Sequence, residues 1–188
     1  MVPTDTDGLK TLPYKIADGS IAEKVEFTSA RIPKEARLHI SLEQFENVIC
    51  DVSLLACAEM LGLSELLLNE TVEYTKQREQ FGVRIGSFQA IQHILVDCYA
   101  EVEQIRSLLL KTLLEPRENT SVYHAKVAGM KSFISDRADF VARNAVQYHG
   151  AMGITEDVII GSALKRVMLL GRLFGDSAHC LNDYLRVA

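Results

Sequence analysis

The fold is decided by residues 41–79, which read SLEQFENVICDVSLLACAEMLGLSELLLNETVEYTKQRE. Ser41 can cap a helix and Gln44 follows three residues later, as in a capping box, with Ile40 placed to staple the entrance. Apolar residues then recur at the spacing of an amphipathic helix, at Phe45, Val48, Ile49, Val52, Leu55, Leu61, Leu66 and Leu67. Because no proline and only one glycine interrupts it, the stretch predicts one long helix over 41–79.

Further helical stretches follow the glycine-containing break at 81–86. A second helix is predicted over 87–114, and a third over 121–148, after a polar loop that contains Pro116. Four long helices joined by short breaks predict an antiparallel four-helix bundle, so the fold class is mainly α.

The fourth helix follows a break at residues 149–153, which read HGAMG. Thr155 is predicted to cap this helix, which runs to near Tyr184. Gly171 and Gly175 are the two places where the sequence would interrupt it.

The N-terminal residues 1–38 carry strand signals instead. Residues 14–16 lead into the turn pair Asp18-Gly19, and residues 24–28 alternate polar and apolar side chains. Two or three short strands are too few to stand alone, so this segment is predicted to be the end of a β domain. The chain is therefore predicted to divide into a β remnant over 1–38 and a helical bundle over 39–188.

Composition restricts the class of protein. With 20 basic and 25 acidic residues the formal net charge is −5, which argues against nonspecific binding to nucleic acid. No window approaches the ~20 apolar residues of a membrane span, and the N-terminus is no signal peptide. A soluble cytoplasmic protein is expected, with four reduced core thiols at Cys50, Cys57, Cys98 and Cys180.

Two of the inter-helix breaks are chemically unusual. No HExxH, GxGxxG or nucleophile-elbow motif is present, and the five histidines show no metal spacing, so no metal site is predicted and the histidines are interpreted as surface or packing residues. The breaks at 78–92 and 147–153, however, place glycine, amide and cationic groups at helix ends. Helix ends offer free backbone N–H groups, which suit a phosphate.

Both breaks resemble the acyl-CoA dehydrogenase family. Arg78-x-x-Phe81-Gly82, with Gln89 seven residues after the glycine, resembles that family's C-terminal signature. Residues 147–153 resemble its Gln-x-x-Gly-Gly-x-Gly segment, with Ala151 in place of one glycine. Residues 2–33 are similar to the tail of its middle β-barrel domain, so the resemblance covers essentially the whole chain.

The resemblance implies an FAD cofactor in a cleft shared between subunits. Arg78 would reach the FAD pyrophosphate of a neighbouring subunit, where a guanidinium fork matches phosphate oxygens. The other implied cofactor positions are Gln80 and Phe81 along the cofactor, Gln89 near its adenosine half, and Gln147, Gly150 and Ala151 where backbone approaches the pyrophosphate. The alternative reading makes Arg78 a solvated helix-end cation and Phe81 a core plug.

The catalytic base that the resemblance implies is missing. The family's reaction removes the α-proton of an acyl thioester while a hydride leaves the β-carbon, so a carboxylate must act as base. Most members carry it as a Glu before a Gly-Thr pair, and that place falls on Phe174; some carry it early in the first bundle helix, at about Val52 here. Asp176 and Asp51 are the nearest carboxylates, but one helix residue is about 100° of rotation, so neither substitutes without a shift and both are interpreted as solvated or capping side chains.

Three explanations are open. The favoured one is the base-lacking subunit of an FAD-dependent acyl-CoA dehydrogenase that assembles with similar subunits and acts on an acyl-CoA. The second is a non-catalytic helical assembly subunit derived from that family, and the third is Asp176 as an alternative base. The resemblance implies self-association, because bundle domains of this family form the core of a tetramer, and the apolar content agrees with it. Because the flavin face of the β domain is lacking in these 188 residues, no tight FAD binding by this chain alone is expected.

Overall fold

The computed structural model describes residues 2–117, 119–155 and 157–187. The chain divides into two compact units, Met1–Glu46 and Asn47–Ala188. In the first unit, strands β1 (Leu9–Lys15) and β2 (Ile21–Phe27) form an antiparallel hairpin. Its turn is held by the Asp18 carboxylate, which accepts the Ser20 N–H at 3.0 Å, so the predicted strands and their turn are confirmed.

Helix α1 (Leu42–Gln77) begins where the sequence predicts and ends two residues earlier. Its capping box is closed in both directions. The Ser41 N–H donates to Gln44 Oε1 at 2.8 Å, and the Gln44 N–H donates to Ser41 Oγ at 3.1 Å. The start is predictable because both partners of the cap lie within one turn of sequence.

The remaining helices are α2 (Gln89–Leu114), α3 (Thr120–His149), α4 (Ile159–Leu170) and α5 (Ser177–Leu185). Between α1 and α2 lies a short hairpin of β3 (Glu79–Gln80) and β4 (Val83–Arg84), which the sequence did not predict. The fold is mainly α with a short β fragment, as predicted.

The fourth member of the bundle is α4 followed by α5, broken at residues 171–176. The interruption at Gly171 and Gly175 is thus confirmed, whereas Thr155 as its cap is wrong. Helix α4 begins after Val158 with no side-chain cap, and Thr155 Oγ1 instead donates to the Met152 carbonyl at 2.9 Å. Because the hydroxyl is hydrogen-bonded to the 3₁₀ turn at Gly150–Ile154, it does not cap the first turn of α4.

Helix α3 lies at the centre and packs against α2, α4 and α5. Six of its thirteen buried positions are small, which lets neighbouring helices approach closely there; they are Ala125, Ser132, Ser135, Ala138, Ala142 and Ala145. Larger apolar side chains of the surrounding helices complete the core, among them Met60, Leu67, Ile105, Ile160 and Val167.

Ion pairs place α1 between α2 and α4. The Arg106 guanidinium of α2 lies 2.7 Å from the Glu65 carboxylate, and Arg166 of α4 makes two contacts of 2.6 and 3.0 Å with Glu59. These pairs are partly exposed and contribute little to stability, but they mark which helices are neighbours.

All four cysteines are free and buried, as predicted. Burial raises the pKa of the thiols to about 11 for Cys50 and to about 12 for Cys57 and Cys98. None of the helices within the described ranges is both long enough and apolar enough to cross a membrane.

A core substitution tests the packing of α1. Leu67→Ala removes a side chain that is 0% exposed, and we expect the free energy of unfolding in urea to fall by about 2–5 kcal/mol. Leu55→Ala makes the same change on the same helix at a side chain that is 69% exposed, and should lower it by less than about 0.5 kcal/mol. Equal losses for the two variants would contradict the assigned buried face.

The raised thiol pKa values predict a loss of stability in alkali. An unfolded thiol ionises near its ordinary pKa of 9.0, whereas Cys57 in the folded chain stays protonated up to about 12. Above pH 9 each such thiol therefore lowers the free energy of unfolding by about 1.4 kcal/mol per pH unit. In urea titrations at pH 8, 9 and 10, Cys57→Ala should show a shallower decline than the unmodified chain. Parallel declines would show that Cys57 is not desolvated.

Candidate functional site

Two of the inter-helix breaks meet at one end of the bundle. The Tyr74 ring near the end of α1 stacks on the His149 ring at the end of α3, with centroids 4.3 Å apart and planes 24° apart. His149 is 6% exposed, and its Nδ1 lies 2.8 Å from the Ala145 carbonyl oxygen. It is therefore a packing histidine, as interpreted from the sequence, and it joins the two breaks.

Residues 78–84 form a short arm that projects from this end. The Arg78 N–H donates to the Tyr74 carbonyl at 2.8 Å. The Ile85 N–H donates to the Arg78 carbonyl at 2.9 Å, and this bond joins the two ends of the arm. Phe81 stands at the tip with φ of 56° and 92% of its surface exposed, and it meets the Phe88 ring edge-on at 6.4 Å. A phenylalanine so exposed is no core plug, and it is suited to contact another molecule.

The predicted cofactor residues are all exposed at or near this end. Arg78, Gln80 and Phe81 lie on the arm, and Gln89 is the first residue of α2. Gln147, Gly150 and Ala151 lie at the end of α3. Their contacts with a cofactor remain a prediction.

Gly150 leaves its backbone open to a ligand. It has φ of 60°, a conformation that favours glycine, and no atom lies within 4 Å of where a Cβ would stand. A flat molecule could therefore approach this peptide without displacing any side chain.

The local charges separate into a basic and an acidic region. Arg78 and Arg84 are exposed on the arm, and helices α2 and α4 both begin at this end without side-chain caps. A neighbouring cleft of about 380 Å³ is lined by Glu70, Glu73 and Asp157 together with His149. An anion would bind at the arm and at the N-terminus of α2, because the carboxylates of the cleft, which the N-terminus of α4 also lines, would repel it.

The positions considered for a base carry no free carboxylate. Phe174 is a hydrocarbon with φ of 60°, in the break between α4 and α5. Asp176 caps α5, and its Oδ1 accepts the His179 N–H at 2.9 Å. Asp51 pairs with Arg117 at 3.1 Å. Each aspartate thus has a local partner, which agrees with the capping and surface interpretation of both.

One buried polar residue was missed by the sequence reasoning. Lys131 is 1% exposed, and its ammonium donates to the Gly171 and Gly175 carbonyls at 3.3 and 2.6 Å. Its spacing from Val127 and Ile134, both buried, places a lysine on the apolar face of α3, and that mismatch is the signal that could have found it. Among the described residues, no group of three or more His, Cys, Asp or Glu side chains could hold a metal ion.

The chain matches the family model described as acyl-CoA dehydrogenase, C-terminal domain, over residues 53–187. It is 29% identical over 178 residues to the probable acyl-CoA dehydrogenase YngJ of Bacillus subtilis, covering 90% of this chain and 46% of the relative. It is 34% identical over 123 residues to the acyl-CoA dehydrogenase IpdE2 of Mycolicibacterium smegmatis, covering 65% and 38%. The chain therefore spans less than half the length of these relatives.

Solved structures share the fold. The ChsE4–ChsE5 complex from Mycobacterium tuberculosis matches with a TM-score of 0.83 at 24% identity, over 98% of this chain and 50% of that one. An acyl-CoA dehydrogenase from Slackia heliotrinireducens matches with a TM-score of 0.86 at 21% identity, over 100% and 50%. At such identities the likeness concerns the fold alone.

A double-mutant cycle tests whether the ring stack joins the two breaks. Tyr74→Leu and His149→Leu should show a coupling of about 0.5–1.5 kcal/mol in the free energy of unfolding, because either change alone already loses the stack. Tyr99→Leu, at an exposed ring on α2, should add to His149→Leu without coupling. Additive effects in both cycles would mean that the ring stack contributes nothing to the free energy of unfolding.

Proposed function

Because this chain belongs to the acyl-CoA dehydrogenase family, we propose that it is the C-terminal bundle of an FAD-dependent enzyme that dehydrogenates an acyl-CoA. In this proposal it supplies FAD contacts and subunit interface. The observation that carries it is the pairing of the two breaks by Tyr74 and His149, which gathers the exposed cofactor candidates at one end. The division into a β-domain remnant over 1–38 and a bundle over 39–188 belongs to the same proposal.

The described residues fit an anionic dinucleotide. Arg78 would hold the pyrophosphate, since a guanidinium gives two parallel hydrogen bonds to phosphate oxygens. The open backbone at Gly150 and Ala151 would approach the same group, and Gln80, Phe81 and Gln89 would lie along the remainder. When bound, FAD supplies the acceptor for the hydride that leaves the β-carbon.

A second subunit would supply the base. Phe174 cannot take a proton, while Asp176 and Asp51 are engaged by the α5 N-terminus and by Arg117. A base brought by a partner chain accounts for a bundle of this family that has no carboxylate at position 174. The ChsE4–ChsE5 complex, whose name joins two chains, offers a counterpart with the same fold.

The missing carboxylate equally favours a second candidate, a non-catalytic assembly subunit. The two candidates differ in whether the assembled protein contains flavin. Absorbance between about 300 and 500 nm should therefore be recorded for the chain purified alone and for the chain co-expressed with its most similar genomic homologue. Flavin bands on co-expression alone would support the hetero-oligomeric dehydrogenase, and none in either sample would favour the assembly role.

The arm provides a test at a single residue. Arg78→Ala should weaken FAD binding by the flavin-containing complex about 10- to 100-fold, because a charge-assisted hydrogen bond contributes about 1.5–3 kcal/mol. The dissociation constant would be measured by flavin fluorescence after reconstitution of the apoprotein.

Arg186→Ala provides the matched control. It removes the same charge at the end of α5, where Arg186 lies 3.3 Å from Asp183, and it should leave the affinity unchanged. If Arg78→Ala binds FAD as tightly as this control, the assignment of the arm to the cofactor is wrong.

A further inference from the structure

Lys131 is a fully buried cation whose hydrogen-bond acceptors are both backbone carbonyls. Its ammonium reaches Gly175 O at 2.6 Å and Gly171 O at 3.3 Å, and neither acceptor is a carboxylate. Burying a charge is costly, and an apolar residue of similar volume often serves stability as well or better. The lysine therefore needs an explanation in the backbone that it binds.

That backbone is the break between α4 and α5. Gly171 follows the last residue of α4, where carbonyl groups lack intrahelical partners and the helix dipole favours a cation. Gly175 O lies just before α5, so one ammonium ties together the carbonyls on either side of the break. A hydrogen bond of 3.0 Å between Ser132 and Ser177 fastens the same α5 terminus to α3.

The break has a defined and strained conformation. Phe174 adopts φ of 60° and Gly175 φ of 105°, and a Cβ at Gly175 would stand 2.6 Å from His179 Cδ2. A left-handed conformation at a residue other than glycine, here Phe174, costs energy and persists only where surrounding contacts impose it. The Phe174 side chain is 42% exposed, and the residues on either side of it in the break are exposed or half-buried.

We infer that Lys131 is a positioning residue: by holding the Gly171 and Gly175 carbonyls, it sets the direction of the side chain at position 174. The inference rests on the proposed function, in which position 174 is the place where a base would stand. In this chain the break at residues 171–176 then keeps the conformation that would present a base, although the residue at position 174 is a phenylalanine. A carboxylate introduced at position 174 would be presented productively only while Lys131 holds the loop.

Backbone hydrogen exchange of the chain alone tests the anchoring. Lys131→Met fills similar space without donors, and the hydrogen-bonded amides of residues 171–173 and 179–180 should exchange at least about tenfold faster than in the unmodified chain. Lys126→Met is the matched control, because Lys126 lies on the same helix but pairs with Glu115 instead. Unchanged exchange at 171–173 and 179–180 in Lys131→Met would overturn the inference.

The second measurement reads out position 174 itself. The Phe174→Glu variant is assembled into the flavin-containing complex. In the partner subunit, the carboxylate that the proposed function assigns as base is replaced by Gln. Exchange of the acyl-CoA α-hydrogen with solvent is then followed in D₂O. The introduced carboxylate takes the α-proton, the electron pair stays on the thioester enolate, and a deuteron returns by the reverse step. No oxidant is consumed.

The complex with Phe174→Glu should gain this exchange. Adding Lys131→Met should lower the kcat of the exchange at least about tenfold, at unchanged KM and flavin content. Adding Lys126→Met instead should leave that kcat unchanged. Exchange that is insensitive to Lys131→Met, or none despite bound flavin, would overturn the inference. If no complex contains flavin, the proposed function fails, and hydrogen exchange at 171–173 and 179–180 still decides whether Lys131 anchors the break.

Discussion

The close packing of helices around α3 is the constraint on which the rest of the structure depends. Its buried face carries six alanine and serine residues, where α2, α4 and α5 can approach its backbone closely. The Tyr74–His149 stack, the arm and the start of α4 all lie where they do because α1 and α3 end together.

Local signals predicted local structure. The Ser41–Gln44 cap and the Asp18-Gly19 turn were readable because both partners lie within a few residues of each other. The prediction that Thr155 caps α4 failed because the start of that helix does not depend on local sequence. A cap residue is recognised by type, but the start of α4 is set by tertiary packing, since a Cβ at Gly161 would stand 2.9 Å from the Gly153 carbonyl.

The candidate site also has features that local sequence predicts and features that depend on residues far apart in the chain. The arm and the end of α3 were identifiable from short motifs, whereas their meeting through Tyr74 and His149 joins residues far apart in sequence and leaves no local trace. Lys131 was overlooked because its acceptors are main-chain carbonyls about forty residues away, which no side-chain pattern reveals. The acidic cleft beside the arm was likewise invisible, since its carboxylates come from α1 and from the residues before α4.

The β1–β2 hairpin has a consequence for how this chain behaves in a test tube. Its two strands pair only with each other among the described residues, so each offers an unpaired backbone edge, with Tyr14, Ile21 and Phe27 exposed beside it. Such edges recruit other strands, and apolar side chains strengthen the attachment. At high concentration the purified chain is therefore prone to aggregate through this hairpin, and Lys10, Lys15 and Lys24 are the charges that oppose it.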